Sequence, residues 1–231
     1  MARRVQANPT STDLDTARLC AALLEDWYAE SGRTFPWRSW TDEYRVLVTE
    51  VLLQRTRAGV VETRLPAFFA KYPDWAALAS APLEELRRAL APLGLSHRRA
   101  ASLSALARAL SGPGELAEYE TMPGVGQYIG RAARVAMQES REAMVDANFV
   151  RVLQRAFPGP WMADYRHDRR LQALALTMVE ASSDPRVVNW AVLDLGAACC
   201  TPRRPLCSTC PMRSHCRTAQ LDMNRPGRTE S

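Results

Sequence analysis

Cys200, Cys207, Cys210 and Cys216 follow one another with the spacing C-x6-C-x2-C-x5-C, inside seventeen consecutive positions of a 231-residue chain. Thiolates this close can converge only if the backbone between them closes into a small loop. Four cysteine ligands on a short loop suit a [4Fe–4S] cluster. Zinc is the other metal that takes four thiolates, but it usually draws two C-x2-C pairs or Cys/His mixtures. A single C-x2-C flanked by longer spacers favours the cluster and leaves zinc as the alternative. Cys199 stands beside Cys200 as a second candidate for the first ligand, and spacing does not choose between them. Cys20 lies far away on an apolar helical face and reads as core packing. The loop is also basic. Positions 195–221 hold no Asp or Glu but contain Arg203, Arg204, Arg213 and Arg217. These arginines can offset the negative charge of four thiolates or reach phosphates of a nucleic acid.

Clustered cysteines without a secretory segment point to metal binding in a reducing cytoplasm. No apolar run approaches the length of a membrane span. Residues 1–12 and 221–231 read as polar tails, the first disordered. A net charge of +5 suits a polyanionic partner without requiring one. Arginine supplies nearly all of the positive charge, and Lys71 is the only lysine. That single lysine limits the amine chemistry open to the chain.

Apolar positions recur at helical spacing almost throughout, and no stretch alternates with period two for long enough to form a strand. The spacing predicts helices over 14–30, 46–61, 66–72, 83–90, 98–110, 127–137, 147–157, 171–181 and 187–198, with a short one near 116–119. Pro82 and Pro92 fall at helix ends. Ser111-Gly112-Pro113-Gly114 and Ser182-Ser183-Asp184-Pro185 read as loops. The fold class is all-α.

Met122-Pro123-Gly124-Val125-Gly126 separates two of these helices. A Gly-x-Gly turn opening a helix brings backbone amides close to a phosphate, although an ordinary αα turn uses glycine too. About twenty residues later comes Val145-Asp146-Ala147-Asn148, where Asp146 is either a helix N-cap or a reactive carboxylate.

Taken in order, the Pro-Gly-Val-Gly hairpin, the Asp-x-Asn of the next helix and the C-terminal cysteines resemble the helix-hairpin-helix (HhH-GPD) DNA glycosylase superfamily. The likeness runs from about Phe35 to Cys216 and includes Phe35-Pro36-Trp37-Arg38 and Thr49-Glu50-Val51-Leu52-Leu53-Gln54-Arg55-Thr56. It is strongest for the thymine/uracil mismatch branch, near the MutY-type adenine glycosylases and endonuclease III. The resemblance implies two lobes: a six-helix barrel over 39–141 carrying the hairpin, and a cluster lobe built from 13–38 and 142–220, with the [4Fe–4S] loop at 200–216. It also implies a monomer that acts on double-stranded DNA containing a mismatched or damaged base, cytoplasmic and associated with the nucleoid.

By the same resemblance Asp146 is the catalytic carboxylate, stabilising positive charge on the sugar as the N-glycosidic bond breaks. Glu50 faces the flipped base and donates a proton or hydrogen bond to it. Gln54 and Arg55 enter the vacated stack, and Gly124, Val125, Gly126 and Asn148 lie on DNA. Tyr128 stands where the lyase branch has an imine-forming lysine, and a phenol cannot make an imine. The expected activity is therefore hydrolytic base removal without lyase cleavage, on thymine or uracil opposite guanine, whose poor pairing lowers the cost of extrusion. Adenine removal and DNA binding without chemistry are the alternatives. MutY-type enzymes usually have Ser at the Tyr128 position and a further domain sensing oxidised guanine. The sequence runs only about fifteen residues past Cys216, so no such domain is expected.

Overall fold

The computed structural model of the chain describes residues 8–111, 119–137 and 140–223. Among the described residues there are eleven α-helices and no strand: α1 (Ser11–Ser31), α2 (Glu43–Leu53), α3 (Ala58–Lys71), α4 (Trp75–Ser80), α5 (Leu83–Leu90), α6 (Ser96–Leu110), α7 (Gln127–Ala136), α8 (Ala147–Ala156), α9 (Arg169–Glu180), α10 (Pro185–Ala198) and α11 (Arg217–Met223). Of the helix expected near 116–119 only Tyr119 is described, where it opens a 3₁₀ turn, Tyr119–Thr121; the rest, with most of the loop after Ser111, lies outside the described residues. The chain divides into two compact units, Met1–Arg33 with Arg141–Ser231, and Thr34–Ser140.

The central unit contains the six helices α2 to α7 around one apolar core. Helix α2 is its axis, with Val46, Leu47, Val48, Val51 and Leu52 all buried. Its lower boundary falls at Thr34, before the expected residue 39, because Trp37 and Trp40 pack against this core. The sequence pattern also runs a helix through 46–61, and the structure breaks it. Gln54 leaves helical geometry at ψ 112° and Arg55 turns left-handed at φ 56°, so α3 restarts at Ala58. Pro66, expected to open a helix, lies inside α3.

In the other unit α1 and α8 each pack against α9 and α10 around one core. Asp side chains start most of the helices. Asp168 accepts from Leu171 N at 3.0 Å and Asp184 from Arg186 N at 2.9 Å, each filling an amide the helix cannot satisfy itself. Thr10 and Asp13 form a reciprocal capping box, so α1 begins inside the tail expected to extend to residue 12. At the other end α11 continues to Met223, past the expected boundary at 220. Two buried carboxylates fasten α1 at both ends. Asp13 receives Arg170 Nη2 at 2.8 Å, and Asp194 receives Arg33 through its amide at 2.8 Å and its Nε at 2.7 Å.

The extended segment before α8 is held by one amide. Asn189, fully buried on α10, accepts from Met144 N at 2.7 Å and donates to Glu142 O at 3.0 Å and Pro185 O at 2.8 Å. Asn189→Leu keeps the branched heavy-atom shape with a bulkier side chain but leaves the Met144 amide without its acceptor. A loss of about 2–3 kcal/mol is expected, read from the urea-unfolding midpoint.

Candidate functional site

Asp146 is the N-cap of α8. Its Oδ1 accepts from the amides of Asn148 and Phe149, both at 2.8 Å, and its Oδ2 accepts from Asn148 Nδ2 at 2.8 Å. Burial pushes its carboxyl above the ordinary aspartate value, against the lowering effect of the Phe149 amide, the Asn148 groups and the Arg151 charge. The side chain is half-buried, so it combines a fixed orientation with an accessible edge. Asn148, expected on DNA, works inside the unit. Its amide holds Asp146, and its Oδ1 accepts from Arg151 Nη2 at 2.8 Å. Arg151 continues to Gly196 O at 2.6 Å and to Cys200 O at 2.7 Å. A Cβ at Gly196 would stand 2.6 Å from Asn148 Cβ, so glycine there is what lets α10 approach α8 this closely.

The same unit gathers the cysteines. Cys199, Cys200, Cys207, Cys210 and Cys216 line one small pocket together with apolar Val152, Leu195 and Met212. Among the described residues no three His, Cys, Asp or Glu side chains are gathered for a single metal ion; the thiols stand around a space instead. Burial pushes the Cys210 thiol up to about 12 and raises Cys216 and Cys199 as well. Thiols so placed ionise only when cationic metal compensates them. The donor set fits an iron–sulfur cluster: several thiols around an apolar chamber with cationic side chains at hand. Arg155 Nη1 lies 3.3 Å from Cys200 Sγ and donates to Thr201 O at 2.7 Å, and its Nη2 donates to Pro202 O at 2.8 Å. Neither Arg151 nor Arg155 was singled out by sequence, because both lie more than forty residues from the cysteines they serve. Arg203, Arg204 and Arg217 are exposed. Cys20 is fully buried in the core, as its helical face implied.

The remaining site residues lie in the central unit. Glu50 is half-buried near the end of α2, and Tyr128, in the first turn of α7, packs against the core. In the hairpin, Val125 N donates to Met122 O at 3.1 Å, Gly124 is left-handed at φ 77°, and the Val125 side chain is buried. A Cβ at Gly124 would meet Ser102 Cβ at 2.4 Å, so both backbone angle and space demand glycine. Gly126 is the N-cap of α7 and makes no side-chain capping bond. Gln54 Nε2 donates to Gly124 O at 3.2 Å and so joins the α2–α3 turn to the hairpin. Sequence reasoning missed Leu95. It is left-handed at φ 50° and 48 % exposed at the N-cap of α6, a position that usually takes a polar side chain. An apolar residue at an N-cap was the available signal, and an exposed apolar side chain on a rigid turn can wedge between stacked bases.

A glycine hairpin opening an uncapped helix, a carboxylate at a second helix start and a cysteine-lined chamber define an all-α helix-hairpin-helix protein with a metal cluster. The chain belongs to the HhH-GPD superfamily of base excision DNA repair proteins, whose family model matches residues 48–174. Residues 200–216 match the iron–sulfur binding domain of endonuclease III, and the cofactor is a [4Fe–4S] cluster. The chain is 36% identical to the thymine/uracil-DNA glycosylase of Methanothermobacter thermautotrophicus, over 85% of this chain and 90% of that protein. It is 34% identical to the adenine DNA glycosylase of Homo sapiens, over 94% of this chain but 43% of that longer protein. A solved thermostable thymine-DNA glycosylase superposes with a TM-score of 0.81 at 32% identity, covering 92% of this chain and all of that one.

The matched cluster domain begins at Cys200, while Cys199 Sγ lies 3.1 Å from Leu206 O. Cys200→Ser is therefore expected to lose the visible iron–sulfur absorption of the purified protein and Cys199→Ser to keep it. The reverse pattern would make Cys199 the first ligand.

Proposed function

We propose that this chain is a monofunctional DNA glycosylase, acting as a monomer, that hydrolyses the N-glycosidic bond of thymine or uracil opposite guanine. The observation that carries the reading is the Asp146 carboxylate, oriented by three hydrogen bonds and still partly open to solvent. As the C1′–N bond breaks, its electron pair leaves with the base and positive charge grows on the sugar. A fixed carboxylate beside C1′ stabilises that charge, and a water oxygen closes on C1′ from the opposite side of the departing base. We assign Glu50 to the departing base as proton or hydrogen-bond donor.

The lyase branch of this chemistry needs an unprotonated amine on the sugar. Tyr128 offers a phenol. The sole lysine, Lys71, is the last residue of α3 and pairs with Glu85 at 2.9 Å, which raises its pKa and keeps it protonated. The names of the relatives favour thymine or uracil, with adenine as the second reading.

A panel of duplexes holding single G·T, G·U and A·8-oxoguanine pairs tests substrate and mechanism together. Base release from G·T and G·U should need alkali to break the strand, and borohydride should trap no adduct. Preferential adenine release would install the second reading, whereas efficient trapping would overturn the monofunctional one.

The pH dependence follows from the raised Asp146 carboxyl. The ionised form is needed, so activity should fall as pH drops through a value above the ordinary 3.8 of aspartate. Stability runs the other way. A raised folded-state pKa favours folding while the group is protonated, and that contribution is lost as pH rises through it. Asn caps helices as well as Asp. Asp146→Asn should therefore keep or raise the melting temperature at neutral pH while single-turnover excision falls about a hundredfold or more. Wild-type excision by that variant would remove Asp146 from the site.

A further inference from the structure

A guanidinium that is almost wholly buried ordinarily faces a carboxylate. Arg99, in the first turn of α6, is 2 % exposed and faces backbone instead. Its Nη1 donates to Leu93 O at 2.6 Å and to Gly94 O, and its Nη2 donates to Gln54 O and Thr56 Oγ1. Thr56 Oγ1 in turn donates to Leu93 O at 3.3 Å. One planar fork thus spans two turns far apart in sequence, the α2–α3 turn and the turn into α6.

Those turns hold the only two left-handed non-glycine residues among the described residues, Arg55 at φ 56° and Leu95 at φ 50°. Left-handed backbone is disfavoured for any residue with a Cβ. Both side chains are exposed, one cationic and one apolar, so neither conformation is repaid by burial of its own side chain. Gln54 extends the connection to the left-handed Gly124 of the hairpin. A strained, solvent-facing pair fixed from beneath by a buried charge is a preorganised edge.

We infer that Arg99 is a positioning residue for base extrusion: it locks the two turns into one rigid edge so that Arg55 and Leu95 enter the base stack together. This rests on the glycosylase reading above. Arg99 touches no substrate; it removes the freedom of the two turns to move apart when a duplex presses on them.

Two readouts on Arg99→Met and Arg99→Lys test it, with melting temperature checking that each folds. The first is the fluorescence of 2-aminopurine beside a G·T pair at saturating protein, which reports unstacking whether or not a bond is cut. Wild type should raise it, Arg99→Met should raise it far less, and Arg99→Lys, which keeps a charge but not the fork, should fall between. The second is single-turnover uracil release from a G·U duplex and from a single strand, which needs no extrusion from a stack. Arg99→Met should slow the duplex reaction about tenfold or more and the single-strand reaction by less than about twofold. Equal slowing of both, an unchanged duplex rate, or no unstacking even by wild type overturns the proposal. If Arg99→Met does not fold, Arg99→Lys carries the same comparison. A wild type that unstacks but excises nothing defeats the glycosylase reading and leaves the fluorescence comparison to decide Arg99.

Discussion

The geometry of one carboxylate governs the cluster-bearing unit. Asp146 must begin α8, and beginning a helix requires an acceptor for amides that have no partner within it. Oδ1 serves two of them and Oδ2 the Asn148 side-chain amide, leaving acceptor capacity on Oδ2. Capping therefore fixes the carboxylate without exhausting it. The amides at the helix start favour its charge and the apolar surroundings oppose it, with burial the stronger. A charge held in such surroundings stabilises a nearby cation more than an exposed aspartate does.

The hydrogen bonds that fix Asp146 lead on to the cysteines. Asn148 is held by Arg151, and Arg151 ends on the carbonyl of Cys200, with Arg155 covering the next two carbonyls and approaching the Cys200 sulfur. The cysteine loop has little secondary structure of its own beyond two short 3₁₀ turns, Cys207–Thr209 and Arg213–His215. What shapes it is a pair of guanidinium forks from α8 and the metal its thiols bind. Hydrolysis of a glycosidic bond moves no electrons through a metal. Fork geometry matters here: a lysine at either position would supply charge and donors from one point, but not a planar fork whose nitrogens reach acceptors spread along the loop.

Most helices were legible because their apolar stripes recur at helical spacing, and the cysteine spacing carried the cofactor. The failures share a cause. The break after Leu53 has neither glycine nor proline to announce it; Gln54, Arg55 and Thr56 are ordinary helix residues locally, and contacts with Arg99 forty-three residues or more away hold the turn open. Pro66 reads as a helix start by local rules, yet α3 continues through it with Val61, Leu65 and Phe68 buried along one side. Leu95 escaped notice because an exposed leucine carries no periodic signal. Arg151, Arg155 and Asn189 act on backbone carbonyls and amides, which no residue pattern displays. Charge and apolarity are written in the sequence; the demand of a distant backbone group is not.

Two helix starts in this chain solve the same electrostatic problem in opposite ways. At α8 the first amides are closed by the chain's own anion, Asp146, and the result is a localised negative charge with an open edge. At α7 Gly126 supplies no side chain, and Gly124 brings the hairpin backbone close to α6 through its left-handed angle and its contact with Ser102. Gly126 makes no side-chain capping bond, and the start of α7 is the positive end of the helix dipole. An anion such as a phosphate suits that end. Exchanging the two caps would invert both ends: a carboxylate at position 126 would repel an anion there, and a glycine at 146 would cap α8 less well than Asp and remove the negative charge from its start.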